Sequence, residues 1–384
     1  MSARTEILNS TLLTADARAL RAIVLWAMLG AKMLGGWGVQ WDIRWHLVIG
    51  RDWFWIAPHV MTYAGVTLAA VLAFGVLAWE TWRARRGLEV PDSIRVIGLV
   101  GTRGFHLAWW GMAITILAAP IDDLWHRLFG IDVTLWSPPH LLGIAGAQVN
   151  TLGCLAIALE LWGPGSRARR SALLVASLLL LGAFQITVDP AIHTAFRRGG
   201  VFFFAWAILG SLAFGFALVL VARLTGMRSA PLLAALGALA FHWVGLQVSD
   251  VGFAIVQPTP AIEEAIAADP DSPIAVAHEM ARRNGATTAG RALLLRYLPV
   301  LPAALLALID ARRRWAAGVT GLALSLVAVS GWMFARIPAL SHALPTVLDV
   351  VVAAPLAVAA ALAGGGAAAG LARLLAPHES TRPV

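Results

Sequence analysis

Long apolar runs alternate with short polar stretches along almost the whole chain. A helix rises 1.5 Å per residue, so about 20 apolar residues cross a hydrocarbon core of about 30 Å. Runs of roughly that length extend from Ala19 to Val39, Ile56 to Trp79, Val100 to Ile121, Pro138 to Trp162, Ser171 to Val188, Gly200 to Ala222 and Ala230 to Val256. A polar segment then extends from Gln257 to about Gly290. Three further runs follow, one ending at Asp310, one near Phe334 and one from about Thr346 to Leu371. In lipid each backbone amide must be satisfied inside its own segment, so these runs are read as helices. The pattern predicts an all-α fold, a polytopic transmembrane helix bundle of about ten spans built partly from repeated helical hairpins. The chain divides into a region at 1–162 and a second at 163–384, the latter with a polar outer loop at about 257–290.

Composition supports that class. The chain has 384 residues, of which 59% are hydrophobic and 13% charged, with a mean hydropathy of +0.76. A formal charge of +8 would suit nucleic-acid binding, but the arginines lie in short loops between apolar runs, where they set topology instead. No nucleic-acid partner is expected; the partner is the lipid bilayer. Arginine clusters at 83–86, 167–170, 223–228 and 312–314 fall on alternate loops. The positive-inside rule then puts these loops and both termini on the cytoplasmic side, with the first span acting as the insertion signal. Tryptophans 37, 41, 45, 53, 55, 125 and 136 gather at the opposite span ends and read as an interfacial belt. The single Cys154 sits inside an apolar run as a packing residue.

The candidate chemistry lies at those same opposite ends. Between the first two spans stand Asp42, Trp45, His46, Arg51, Asp52 and a Pro58-His59 pair, spaced D-x3-H-x12-H. Residues four apart share a helix face, so Asp42 and His46 point together, and His59 opens the next helix. The pattern recurs between the third and fourth spans as Asp122, Trp125, His126, Asp132, Pro139 and His140, spaced D-x3-H-x13-H. Ionisable groups at such positions are costly unless paired or liganding. Each set reads as a three-ligand metal site with open positions: Asp42, His46 and His59, then Asp122, His126 and His140. Asp52 and Asp132 are candidates to accept the free N–H of a ligating imidazole. Asp123 competes with Asp122 as ligand. The Pro138-Pro139 pair is expected to break the backbone and leave an irregular pocket, which makes the second site the candidate catalytic one. A third D-x3-H, Asp189 and His193, ends the fifth span without a second histidine. His106 and His242 read as packing or hydrogen-bonding residues.

With these residues in place, the region at about 20–160 resembles the metal-bearing membrane subunit of the copper membrane monooxygenases, the particulate methane and ammonia monooxygenase family. That family carries a D-x3-H-x12-H site with Trp before the first histidine and an Arg-Asp pair between the two, matching Asp42, Trp45, His46, Arg51, Asp52 and His59. Its second copper site is N-x3-H-x13-H with an intervening acid and a Pro two before the last histidine, matching His126, Asp132, Pro138 and His140. Asp122 departs from the pattern by standing where the family usually has Asn. Nothing in the later half resembles the family, and no cupredoxin-like domain is seen. The resemblance implies copper as cofactor, further monooxygenase subunits in an oligomer, and hydroxylation by O2 of a small apolar substrate or ammonia. The ligands themselves also suit iron or zinc. A membrane metal-handling or assembly protein therefore stands as the alternative. Transport is disfavoured because the acids and histidines concentrate at one face.

Overall fold

The computed structural model describes residues 3–48, 54–129, 136–196, 201–256, 260–272, 297–334 and 344–375, together with Ala275 and Glu279. Among them are eleven helices: α1 (Ala3–Val48), α2 (Ala57–Arg85), α3 (Arg103–Phe129), α4 (Pro138–Leu161), α5 (Arg167–Phe196), α6 (Val201–Thr225), α7 (Ala230–Ile255), α8 (Pro260–Ala268), α9 (Val300–Ile309), α10 (Trp315–Phe334) and α11 (Val347–Leu375). Nine of these described helices are long and apolar enough to cross a membrane, so the chain is an integral membrane helical bundle. The span expected to end at Asp310 is represented by α9, a shorter apolar helix. The helix carrying the first span begins at Ala3, well before the apolar run, and the polar segment after α7 contains α8.

One apolar core runs through both regions of the chain, from Leu25, Ala73, Phe105 and Leu155 to Leu180, Phe214, Ala238, Leu306, Leu322 and Ala361. Large apolar side chains such as Ile23, Val71, Leu117, Trp243 and Val351 point outward. In water such a surface would aggregate; around a bilayer-spanning bundle it is the face that lipid covers. Helices in lipid gain no hydrophobic drive toward one another, so close packing and interhelical hydrogen bonds hold them. Both appear here. Gly65 lies against the backbone of Ala31 and Gly35, drawing α1 and α2 together. Gly111 and Gly146 do the same for α3 and α4, one of the most extensively packed pairs. Asn150 Nδ2 donates to the Ala108 carbonyl at 2.8 Å, and Lys32 Nζ donates to the Ala147 carbonyl at 2.9 Å.

Between α2 and α3 the expected basic loop contains a small antiparallel ribbon, β1 (Ile94–Val96) and β2 (Leu99–Gly101). Its two-residue turn, Ile97-Gly98, has φ of 48° and 79°, the positive values that let a two-residue hairpin follow the strand twist. Thr81 Oγ1 accepts the Val100 N–H at 2.8 Å, fastening this ribbon to the last turn of α2. His106 Nε2 lies 3.3 Å from the Ile94 carbonyl, the hydrogen-bonding role expected of it. Cys154 is buried in the core, also as expected.

Candidate metal centre

The two motif-bearing hairpins are built alike. In the second, Ser137 is the N-cap of α4, with φ −91° and ψ 152°, and its Oγ accepts the His140 N–H at 3.4 Å. The extended backbone at Ser137 is what a following proline demands. Pro138 and Pro139 occupy the first two helical positions, where a missing N–H costs nothing. His140 is thus the third residue of α4. In the first hairpin Ile56 is the N-cap of α2, also extended, with Pro58 in the first turn and His59 third. The carboxylates come from the other arm, Asp42 near the end of α1 and Asp122 near the end of α3. The expected break at Pro138-Pro139 is therefore corrected: these prolines open a regular, capped helix.

In the second hairpin all three expected ligands converge. Asp122 Oδ1 lies 3.4 Å from His126 Nε2 and 3.4 Å from His140 Nε2. One ligand atom from each residue lies within 4.8 Å of the other two. Metal bonds to imidazole nitrogen and carboxylate oxygen are about 2.0–2.2 Å, so a tetrahedral site places its ligand atoms about 3.4 Å apart. The two carboxylate–imidazole edges match that figure. Asp122 Oδ1 is buried, yet accepts no aligned hydrogen bond from the described residues. A cation among the three atoms would satisfy this oxygen. The ligand side chains are 14–29% exposed, so solvent or a small molecule reaches the site. Asp123 points away, pairing at 2.7 Å with Arg127 on the exposed side of α3. Of the two acids, Asp122 is the one that lies beside the histidines. The donor set, two neutral nitrogens and one carboxylate with open positions, fits Cu(II), Fe(II) or Zn(II).

In the first hairpin Asp42 Oδ1 and His59 Nε2 are 3.0 Å apart, and both side chains are largely buried. His59 Nδ1 lies 3.2 Å from the Phe54 carbonyl. A carbonyl can only accept, so Nδ1 carries the proton there. Nε2 is then either a lone pair turned toward the carboxylate or the second N–H of an imidazolium. The first case calls for a cation between them, and a backbone carbonyl behind the ring is the usual support of a ligating histidine. The side chains of His46, Asp189 and His193, and residues Asp52 and Asp132, lie outside the described residues.

The wall behind the first hairpin was not anticipated. Arg44, two residues beyond Asp42, pairs with Asp250 of α7 at 2.7 Å, donates to the Leu246 carbonyl at 3.1 Å and to Ser249 Oγ, and stands over the Phe253 ring. Trp41 and Trp45 are buried against that same Phe253, whereas Trp55 is exposed. The legible signal was charge: Arg44 and Asp250 are opposite ionisable groups at span ends. No family model, curated protein or solved structure matches the chain.

Proposed function

We propose that the chain is the metal-bearing subunit of a copper-dependent membrane monooxygenase, hydroxylating a short hydrocarbon or ammonia with O2. The observation that carries this reading is the convergence of Asp122, His126 and His140, in a hairpin whose construction is repeated around Asp42 and His59. The choice of copper and of oxygenation rests on the likeness of both motifs to those of the copper membrane monooxygenases. A copper ion held by these residues would supply O2 activation. His126 and His140 contribute neutral nitrogens, and Asp122 adds a negative charge where the resembled family has an amide. That charge favours the divalent over the monovalent ion. Exposure at the rim admits O2, while an apolar substrate arrives through the surrounding bilayer. Alternation of the arginine clusters supports cytoplasmic termini and metal sites toward the outer face of a bacterial inner membrane. Further subunits complete the oligomer.

The test uses membranes containing the wild-type chain, H126A or D122N. Each is assayed for Cu(II) resonance and for O2-dependent turnover of short alkanes, alkenes and ammonia. H126A is expected to abolish turnover and the signal of this site; D122N is expected to keep the metal and shift its redox behaviour. Full turnover with the second site empty moves catalysis elsewhere. Zinc in both sites of the wild type replaces the oxygenase reading with a metal-handling one.

A further inference from the structure

At the other end of the bundle, the start of α5 and the ends of α6 and α11 border an open cavity of about 150 Å³. Pro164, Arg169, Arg170, Arg223, Thr225 and Ala372 are among its lining residues, and no carboxylate lines it. Three arginines thus line one small cavity, Arg170 at its exposed rim. Arg169 is buried and donates to the Trp162 carbonyl at 3.3 Å. Arg223 Nε is buried with no acceptor. Arg170 and Arg223 form no ion pair among the described residues. The nearby acid Asp310 is already engaged by both faces of Arg312 at 2.7 Å, and Arg312 itself reaches the Gly226 carbonyl. A topology signal needs only that arginines lie on this side of the membrane. It does not require them to face one cavity, nor to bury a donor with nothing to donate to. An orphaned donor of a charged group is costly, and like charges converging in a cavity raise that cost.

We infer that this basin binds a phosphate group, supplied by the headgroup of an anionic phospholipid. Guanidinium forks match phosphate oxygens with paired, charge-assisted hydrogen bonds, which answers the unmet donor of Arg223, with Arg170 adding positive charge at the exposed rim. The basin stands among helix ends, the level at which headgroups surround a spanning bundle, and this favours a lipid over a dissolved ion.

The full chain is reconstituted in nanodiscs of phosphatidylcholine, with or without phosphatidylglycerol. Retained lipid is counted by native mass spectrometry, and unfolding is followed by heating. In a separate arm, inorganic phosphate is titrated into the phosphatidylcholine sample. The wild type is expected to retain phosphatidylglycerol and unfold at a higher temperature in its presence. R170Q/R223Q is expected to bind it at least tenfold more weakly and lose that stabilisation, whereas R85Q/R313Q, with the same charge loss outside the cavity, keeps both. Equal stabilisation by inorganic phosphate, with displacement of the lipid, would assign the same basin to the free ion. If R170Q/R223Q fails to fold, R223K keeps the charge but loses the fork, and weaker retention is expected. Equal retention by wild type and R223K or R170Q/R223Q, or no response of the wild type to either probe, overturns the inference.

Discussion

Substituting Gly146 by alanine tests whether helix packing sets the ligand geometry. A methyl group at Gly146 would lie 2.6 Å from the Gly111 carbonyl oxygen and 2.6 Å from Thr115 Oγ1. That is about 0.8 Å inside ordinary van der Waals contact. Thr115 Oγ1 cannot swing away freely, because its one proton is shared between the Gly111 and Gly143 carbonyls, each 3.1 Å away. The helices must therefore part. Asp122 rides on α3 and His140 on α4, so their separation would grow from 3.4 Å to about 4.2 Å, beyond the tolerance of about 0.5 Å for a preorganised site. To bind, the metal must draw the helices back against a clash of about 1–3 kcal/mol. Its affinity is expected to fall by about tenfold to a hundredfold. Asp122 and His126 share α3, so their spacing stays unchanged. The assay is chelator competition on metal-free protein, with G75A as control, since a methyl there meets nothing within 4 Å. If folded G146A binds as tightly as G75A, packing between α3 and α4 does not set the site.

Other variants probe the surroundings of the two sites. D123N is expected to leave the metal content unchanged and stability within about 0.5 kcal/mol, because its pair with Arg127 is exposed; loss of metal would return the ligand role to Asp123. D250A leaves Arg44 without its carboxylate and is expected to lower stability by about 1–3 kcal/mol, read by thermal unfolding. It should also loosen the first site and spare the second; an unchanged unfolding temperature counts against a stabilising role for the Arg44–Asp250 pair. The Arg312 guanidinium holds Asp310 down from 3.8 to about 2. A depressed carboxylate stabilises the fold above its unfolded pKa, so that contribution is complete above about pH 4 and is lost as pH falls toward 2. D310N should therefore show a shallower loss of stability across that window, and an unchanged acid profile would contradict this. Cysteine labelling from outside should reach a probe at 260–272 and miss one at 165–170; the reverse would invert the orientation of every motif.

What was legible in the sequence was what short-range geometry controls. Three intervening residues put Asp122 and His126 on one face of α3, and the expected triad follows once α3 and α4 fold back on each other. The Pro138-Pro139 dipeptide suits either a break or a first helical turn, which is why the expected break gave way to a helix start; Ser137, a capping residue just before it, decides for the turn. Trp41 and Trp45 look interfacial because a span end is where aromatic belts occur. Their burial depends on α7, which approaches α1 only in three dimensions through contacts such as Trp37 Nε1 to the Phe241 carbonyl at 3.1 Å. The β1–β2 ribbon escapes a reading by periodicity because its strands have three residues each, too few for a period-two pattern, although the Gly98 in its turn is a usable cue.

The most direct measurement of the central claim is element-resolved metal analysis of the protein kept in its native lipids, comparing wild type with H126A and H140A. Copper is expected in the wild type, with the loss of about one equivalent in each variant and the site around Asp42 and His59 still filled. Metal content unchanged by either substitution would contradict the assignment of His126 and His140 as ligands.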